Sequence, residues 1–368
     1  MARRAVFTDV MNVIERRITA GEFMLKDIPG ERKLADEVGV SYMTARKAVT
    51  KLIEKSVLTR RANGTLEVHP NFLNSADTCQ VAMLAPAFAT THLARCRLGV
   101  TTAADNDDRV RLRSLEYLHW DDAVVREAVE NSDGCIIIPS TEKIPDRVMK
   151  VFKAQSTKVV FLDANLTDQG LVSVRLVAEE YIAEIFEHLR SLGHRRIDCL
   201  NTQGRVDEIE SRIDQWRRFI GAHGLQGTLF DDPAPPYTDP TSRAHRKMHE
   251  VLEQHRGQLS ALVCTTSPAA LAAMRACHDL GVKVGSEVSI CTINNEPTGK
   301  YFFPSLTGLE MPDIGPMLER CFEWFAAAPD APWTHDLLIT PAESTLLKGE
   351  STGPAPHPRR RFQSLNRR

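Results

Sequence analysis

The stretch IPGERKLADEVGVSYMTARKAVTKLIEK, residues 28–55, holds two apolar patterns of helical period separated by one glycine. Leu34, Ala35 and Val38 mark a short helix that Gly39 stops. Ala45, Ala48, Val49, Leu52 and Ile53 then form one stripe of a second helix, with Ser41 placed to accept from its free N–H groups. Upstream, Val6, Val10, Val13, Ile14 and Ile18 repeat at helical spacing over residues 5–20 and end at Gly21. Downstream, LTRRANGTLEVHP (58–70) has two short alternating runs around Asn63-Gly64, a strong hairpin signal. Helix, helix, turn, helix and hairpin, in that order, predict a winged helix-turn-helix over residues 1–69.

In such a head the N-terminal residues of the last helix enter the major groove, where hydroxyls meet phosphates and longer side chains reach base edges. Ser41, Tyr42, Met43, Thr44, Arg46 and Lys47 are therefore the expected reading set, with Asn63 and Gly64 at the wing tip. Charge agrees with this placement. Residues 1–70 hold 13 Lys and Arg against 9 Asp and Glu, and residues 353–368 hold five arginines and no acid. With a total of −2, the middle of the chain carries −11, so only the ends suit a polyanion.

The stretch 28–68 resembles the DNA-binding domain of GntR-type bacterial regulators, in which Pro-x-Glu-Arg opens the second helix and Val-Ser-x-x-Thr-x-Arg opens the recognition helix. The resemblance implies backbone contacts from Arg32, phosphate or base contacts from Ser41, Thr44 and Arg46, and Gly64 in the minor groove. Tyr42 stands where many members have arginine. A tyrosine offers one hydroxyl and an apolar ring instead of a bidentate donor, which implies a changed operator preference.

From residue 79 apolar runs alternate with amphipathic segments: CQVAMLAPAFA (79–89), DGCIIIPS (133–140), KVVFLDAN (158–165), GLVSVR (170–175), LSALVCTT (259–266) and VSICTINN (288–295). They predict an α/β body, a doubly wound parallel sheet in two lobes, with a ligand cleft at the strands' carboxyl ends. SDGCIIIPS (132–140), LRSLGHRRIDCLN (189–201), SRIDQWRRFIGAHGL (211–225), AALAAMRACHDLGVKVGSEVSI (269–290) and FPSLTGLEMP (303–312) resemble the periplasmic-binding-protein-like effector domain of LacI/GalR-type regulators. The resemblance implies a ligand-clamping role for Arg212 and a structural turn at Gly193, His194 and Arg196. It also exposes departures: Thr266 and Ser267 replace an Asn-Asp pair, Thr292 to Asn295 replace Gly-Tyr-Asp-Asp, and Arg175 replaces an aspartate. Acceptor carboxylates are thus expected to be missing at three places, with Asn294 and Asn295 left to donate and accept. His92 and Trp120 are further candidates for the cleft wall.

Other classes find little support. No run is long and apolar enough for a membrane span, and the N-terminus is too polar for a signal peptide, so a cytoplasmic protein with no membrane partner is expected. The eight cysteines form no C-x-x-C pair and read as reduced core residues. G-x-S-x-G, P-loop and Rossmann fingerprints are missing, so neither catalytic residues nor a cofactor are expected. His245 and His249, four apart on a helix, have metal-ligand spacing, but no nearby acid completes a site, so a solvated face without metal is the expectation. The expected organisation is a DNA-binding head at 1–69, a linker at 70–78, an effector and dimerisation domain at 79–350, and a disordered basic tail at 351–368. The whole reads as a homodimeric, ligand-responsive repressor on a palindromic operator in double-stranded DNA. Its resemblance suggests a carbohydrate effector. The alternatives are a constitutive or partner-controlled regulator with a degenerate pocket, and an enzyme on the α/β body.

Overall fold

The computed structural model describes residues 2–19, 23, 28–61, 63–69, 78–88, 90–154, 158–255 and 257–356, with side chains from residue 10 onward except that of Thr19. The expected linker falls almost wholly outside the described residues, as does the arginine-rich end at 357–368.

The head consists of α1 (Ala2–Thr19), α2 (Glu31–Val38), α3 (Tyr42–Glu54) and an antiparallel hairpin of β1 (Leu58–Arg60) and β2 (Leu66–Val68). The side chain of Val6 and the expected stop at Gly21 lie outside the described residues; the stripes otherwise meet in one core, where Val10, Ile14 and Ile18 pack on Leu34, Val49 and Leu52 under Leu58 and Leu66. Gly39 takes a left-handed backbone, φ 71°, and turns α2 sharply into α3. Gly64 does the same at the wing tip with φ 86°.

The body starts with β3 (Cys79–Pro86), α4 (Thr91–Asp105), β4 (Val110–Tyr117), α5 (Ala123–Glu130), β5 (Gly134–Ile137), α6 (Asp146–Phe152), β6 (Val159–Leu162) and β7 (Val172–Val174). A second unit follows: α7 (Glu179–Ser191), β8 (Asp198–Asn201), α8 (Asp207–Ala222), β9 (Leu229–Asp231), α9 (Pro240–Gln254), β10 (Ala261–Cys264), α10 (Ser267–Asp279), β11 (Ser289–Asn295) and β12 (Thr307–Glu310). The chain then returns to the first lobe as α11 (Gly315–Ala326) and β13 (Leu338–Ile339), and ends in the second with β14 (Leu346–Leu347).

The strand orders are β13-β7-β6-β5-β3-β4 and β14-β12-β11-β10-β8-β9, parallel throughout except for β14. Continuous apolar strands are required because helices cover both faces. In β3, Met83 faces Phe322 and Phe325 of α11, while its neighbour Leu84 faces Trp120 and Phe152. In β10, Leu262 joins Ala270 and Met274, while Val263 joins Ile185 and Phe186. The eight cysteines are all buried and free. Among the described residues no helix is long and apolar enough to cross a membrane.

The expected tail boundary needs correction. Residues 351–356 are not a free end but a strap on the second lobe. Ser351 is fully buried; its hydroxyl donates to the Ile290 carbonyl at 2.6 Å and accepts from the Thr307 N–H at 2.9 Å. His194, also fully buried, lies 3.1 Å from the Gly353 carbonyl and 3.0 Å from the Ser289 hydroxyl, and the Ala355 N–H donates to the Leu192 carbonyl. The conformation is thus set by pairing, which the Pro/Gly composition concealed. A chain stopped after Glu350 should lose roughly 3 kcal/mol or more of unfolding free energy in urea titration, through unmet buried polar groups. A stop after Pro356 should leave it nearly unchanged.

Candidate DNA-binding face and interlobe cleft

The expected reading residues lie together on the open end of α3. Ser41 caps the helix, its hydroxyl accepting from the Thr44 N–H at 3.2 Å and lying 2.8 Å from the Thr44 hydroxyl. Tyr42 and Met43, 40% and 68% exposed, are among the few large apolar side chains open to solvent among the described residues. Arg46 and Lys47 are exposed on the same helix. Tyr42 is not isolated. The Arg32 guanidinium lies 5.9 Å from its ring centroid, so the two side chains present a joint cation–aromatic surface. At the wing, the Asn63 carboxamide oxygen accepts from the Thr65 N–H at 3.0 Å, which gives it the role of turn former. Arg60 supports the tip by donating to the Gly64 carbonyl at 3.0 Å, while pairing with Glu31 of α2.

The second site is a cleft of about 420 Å³ between the lobes. It lies where the carboxyl ends of both sheets face each other, the position open parallel sheets reserve for ligands. His92, on the first turn of α4, lines it from the first lobe, and Arg212 of α8, Thr266 and Asn294 line it from the second. These four of the expected residues converge. Arg212 is buried; one terminal nitrogen donates to the Thr265 carbonyl at 2.8 Å and to the Asn294 side-chain oxygen at 3.4 Å. Its Nε has no partner among the described residues.

The other four have different placements. Trp120 is a core residue of the first lobe, 2% exposed, packed beside Tyr117 and Phe152, with its indole N–H donating to the Glu142 carbonyl at 3.0 Å. Its large apolar ring is satisfied there and does not line the cleft. Ser267 sits just behind the wall, donating to the Asn294 carbonyl at 2.7 Å and accepting from the Glu296 N–H at 3.2 Å. Asn295 turns inward, donating to the Leu306 carbonyl at 2.8 Å. Arg175 is a buried link between lobes. From the end of β7 it donates to Glu208 of α8 at 2.8 Å and to Glu179 of α7 at 2.7 Å.

The expected shortage of carboxylates is therefore not found in the cleft. Asp163, Glu208 and Glu296 line it, from the end of β6, the first turn of α8 and the end of β11. Asp163 has a left-handed backbone, φ 60°, and its Oδ2 lies 2.7 Å from His92 Nε2. Asp163 Oδ1 and His92 Nδ1 have no partner among the described residues. Burial works against charge on His92, but the Asp163 carboxylate outweighs it and holds the imidazolium well above the usual histidine range. Burial likewise opposes charge on Asp163, and His92, Arg212 and Arg175 overcome it, so Asp163 titrates below its ordinary range. Glu208 is pushed up by burial and then by Asp163. Burial also raises Glu296. Glu208 was findable: it precedes Arg212 by four on one helical face, so both side chains reach the same side.

Tyr237, from the loop before α9, donates to Glu142 of the first lobe at 2.9 Å and closes one end of the cleft. Residues able to hold a metal lie elsewhere, on α9 and α10. Among the described residues, Arg212 Nε and Asp163 Oδ1 are thus left unpaired at the cleft wall, framed by residues that can both donate and accept. The cleft suits a small, polar, hydroxyl-rich molecule.

Two family descriptions match the chain, one over the head and one over the body. Residues 8–68 match the gntR family of bacterial regulatory proteins, and residues 186–313 match the periplasmic binding protein-like domain. The HTH-type transcriptional regulator GntR of Escherichia coli (strain K12) is 24% identical over 307 residues, covering 78% of this chain and 88% of its own. The lac repressor dimer bound to operator and an anti-inducer is similar in fold, with TM-score 0.60 at 18% identity over 77% of this chain and 97% of its own. A LacI family regulator from Arthrobacter sp. FB24, solved with lactose, has TM-score 0.60 at 14% identity over 75% and 99%.

Two outcomes follow from the charges. In Asp163→Asn the counter-charge is gone and burial remains, so His92 should titrate below about 6.5 by NMR instead of well above it. In the wild type, the stabilisation from raised His92 is complete below the ordinary histidine range and is lost as pH rises through the higher folded value. That from lowered Asp163 is lost as pH falls through its folded value. Arg175→Ala strands Glu208 in a buried site and should lower the unfolding free energy by about 3–5 kcal/mol, read from denaturant midpoints.

Proposed function

We propose that this chain, a gntR-type DNA-binding head joined to a periplasmic binding protein-like body, is a ligand-responsive transcriptional repressor. It binds a palindromic operator as a homodimer formed through the body, and a sugar or sugar derivative in the interlobe cleft controls its affinity. The observation that carries the reading is the pairing of two modules. A helix end with Ser41, Tyr42, Met43, Arg46 and Lys47 exposed precedes a cleft lined by Arg212, Asp163 and His92, each with one polar atom that has no partner among the described residues.

The DNA side is supported by chemistry. A capped helix N-terminus favours phosphate, and Arg46 can reach base edges from the same turn. Tyr42, backed by Arg32, offers a hydroxyl and a ring edge suited to a thymine methyl. On the ligand side, sugar hydroxyls can donate to Asp163 and accept from Arg212 and Asn294. Ligand bound to both lobes would bias their relative rotation, and the connection to the heads would carry that bias to half-site spacing.

The test begins with selection of bound sequences from a random DNA pool by the full chain. A palindromic consensus is expected. Arg46→Ala should weaken binding to it by about 1–3 kcal/mol and relax one position, and Tyr42→Arg should shift the preferred base at another. Sequence-independent, salt-sensitive binding alone would contradict an operator-specific regulator.

A further inference from the structure

The two histidines of α9 are not a plain solvated face. His245 and His249 are one turn apart, with ring centroids 4.7 Å apart in an edge-on arrangement. The acid that sequence reasoning found missing comes from another helix. Asp279, the last residue of α10, places Oδ2 2.9 Å from His245 Nε2 and 3.5 Å from His249 Nε2. One ligand atom from each of the three residues lies within 4.8 Å of the other two.

We propose that His245, His249 and Asp279 form a binding site for a divalent transition metal of the zinc type, with water completing the coordination. An ion with bonds of about 2.0–2.1 Å and tetrahedral geometry sets neighbouring ligand atoms about 3.3 Å apart. The two nitrogen–oxygen separations bracket that value, and the two histidine nitrogens, within 4.8 Å of each other, would close toward it on binding. Two imidazoles and one carboxylate select a borderline ion over calcium or magnesium, which take oxygen ligands. The carboxylate is already oriented: Arg275 holds its other oxygen, Oδ1, at 2.8 Å, leaving Oδ2 turned toward the histidines. The scaffold is fixed as well, since Ala244, Met248 and Val251 of α9 share a core with Ala269, Ala273 and Cys277 of α10. The three side chains remain partly exposed, which gives an ion and its waters access. A bound ion would clamp α9 to α10 and stabilise the folded chain by mass action.

The experiment uses untagged, chelator-treated full-length protein. Zn²⁺ should bind at one ion per chain in equilibrium dialysis and raise the thermal midpoint, and Mg²⁺ should do neither. Co²⁺ should give the visible bands of a four-coordinate nitrogen–oxygen site. His245→Ala and Asp279→Asn should each lower Zn²⁺ affinity at least about tenfold, whereas His223→Ala, just after α8, should leave it unchanged. His245→Gln replaces His245→Ala should the latter lose the folded spectrum of the metal-free protein. The proposal is overturned if Zn²⁺ does not bind stoichiometrically, or if it binds equally well to the His245 and Asp279 variants.

Discussion

The body depends on how one buried charge is neutralised. Arg175 leaves the last described strand of the first lobe's opening run and enters a nearly dry site between the lobes. An unpaired guanidinium there would be prohibitive, so Glu208 and Glu179, both from second-lobe helices, must come to it. That requirement fixes the start of α8 against the start of α7. It thereby fixes where Arg212, one turn beyond Glu208, stands in the cleft. Folding energetics and ligand geometry share the same few side chains.

The cleft follows from the same arrangement. Two parallel sheets direct their carboxyl ends toward each other, so loops after β3, β6, β10 and β11 supply the wall without a dedicated binding element. The charges are balanced in pairs: His92 with Asp163, and Arg175 with Glu208. Arg212 and Asp163 retain capacity beyond those pairs. A ligand that uses it must touch both lobes, since Asp163 belongs to one and Arg212 to the other.

The head was legible almost residue by residue because its signals are local: a capping serine, a left-handed glycine and apolar stripes within three short helices. The lobes were legible through apolar runs such as CIII at 135–138. The polar strand β4 was not. Its sequence, VRLRSLEY, alternates at a sheet edge, with Arg111 exposed, and so lacks the continuous apolar run of the inner strands. The cleft acids were missed because their partners are distant in sequence: Asp163 meets His92 across 71 positions. Arg175 pairs with Glu208, 33 residues away, a partner that no local pattern announces. Trp120 is a cleft candidate by its position after LRSLEYLH, whereas packing against Tyr117 and Phe152 decides its place. Asp279 is hidden from His245 in the same manner, 34 residues on.

In the proposed regulator, occupancy of the cleft and the state of the DNA-binding heads are thermodynamically linked. Linkage must be reciprocal: a ligand that changes operator affinity by some factor has its own affinity changed by the same factor. The most direct measurement is operator affinity of the full chain across a panel of monosaccharides and sugar acids, in wild type and in Arg212→Ala. At least one compound should change the wild-type operator affinity by about 5-fold or more, and the change should vanish in Arg212→Ala while affinity without ligand is retained. An operator affinity indifferent to every compound, or a response that survives loss of Arg212, would contradict the claim.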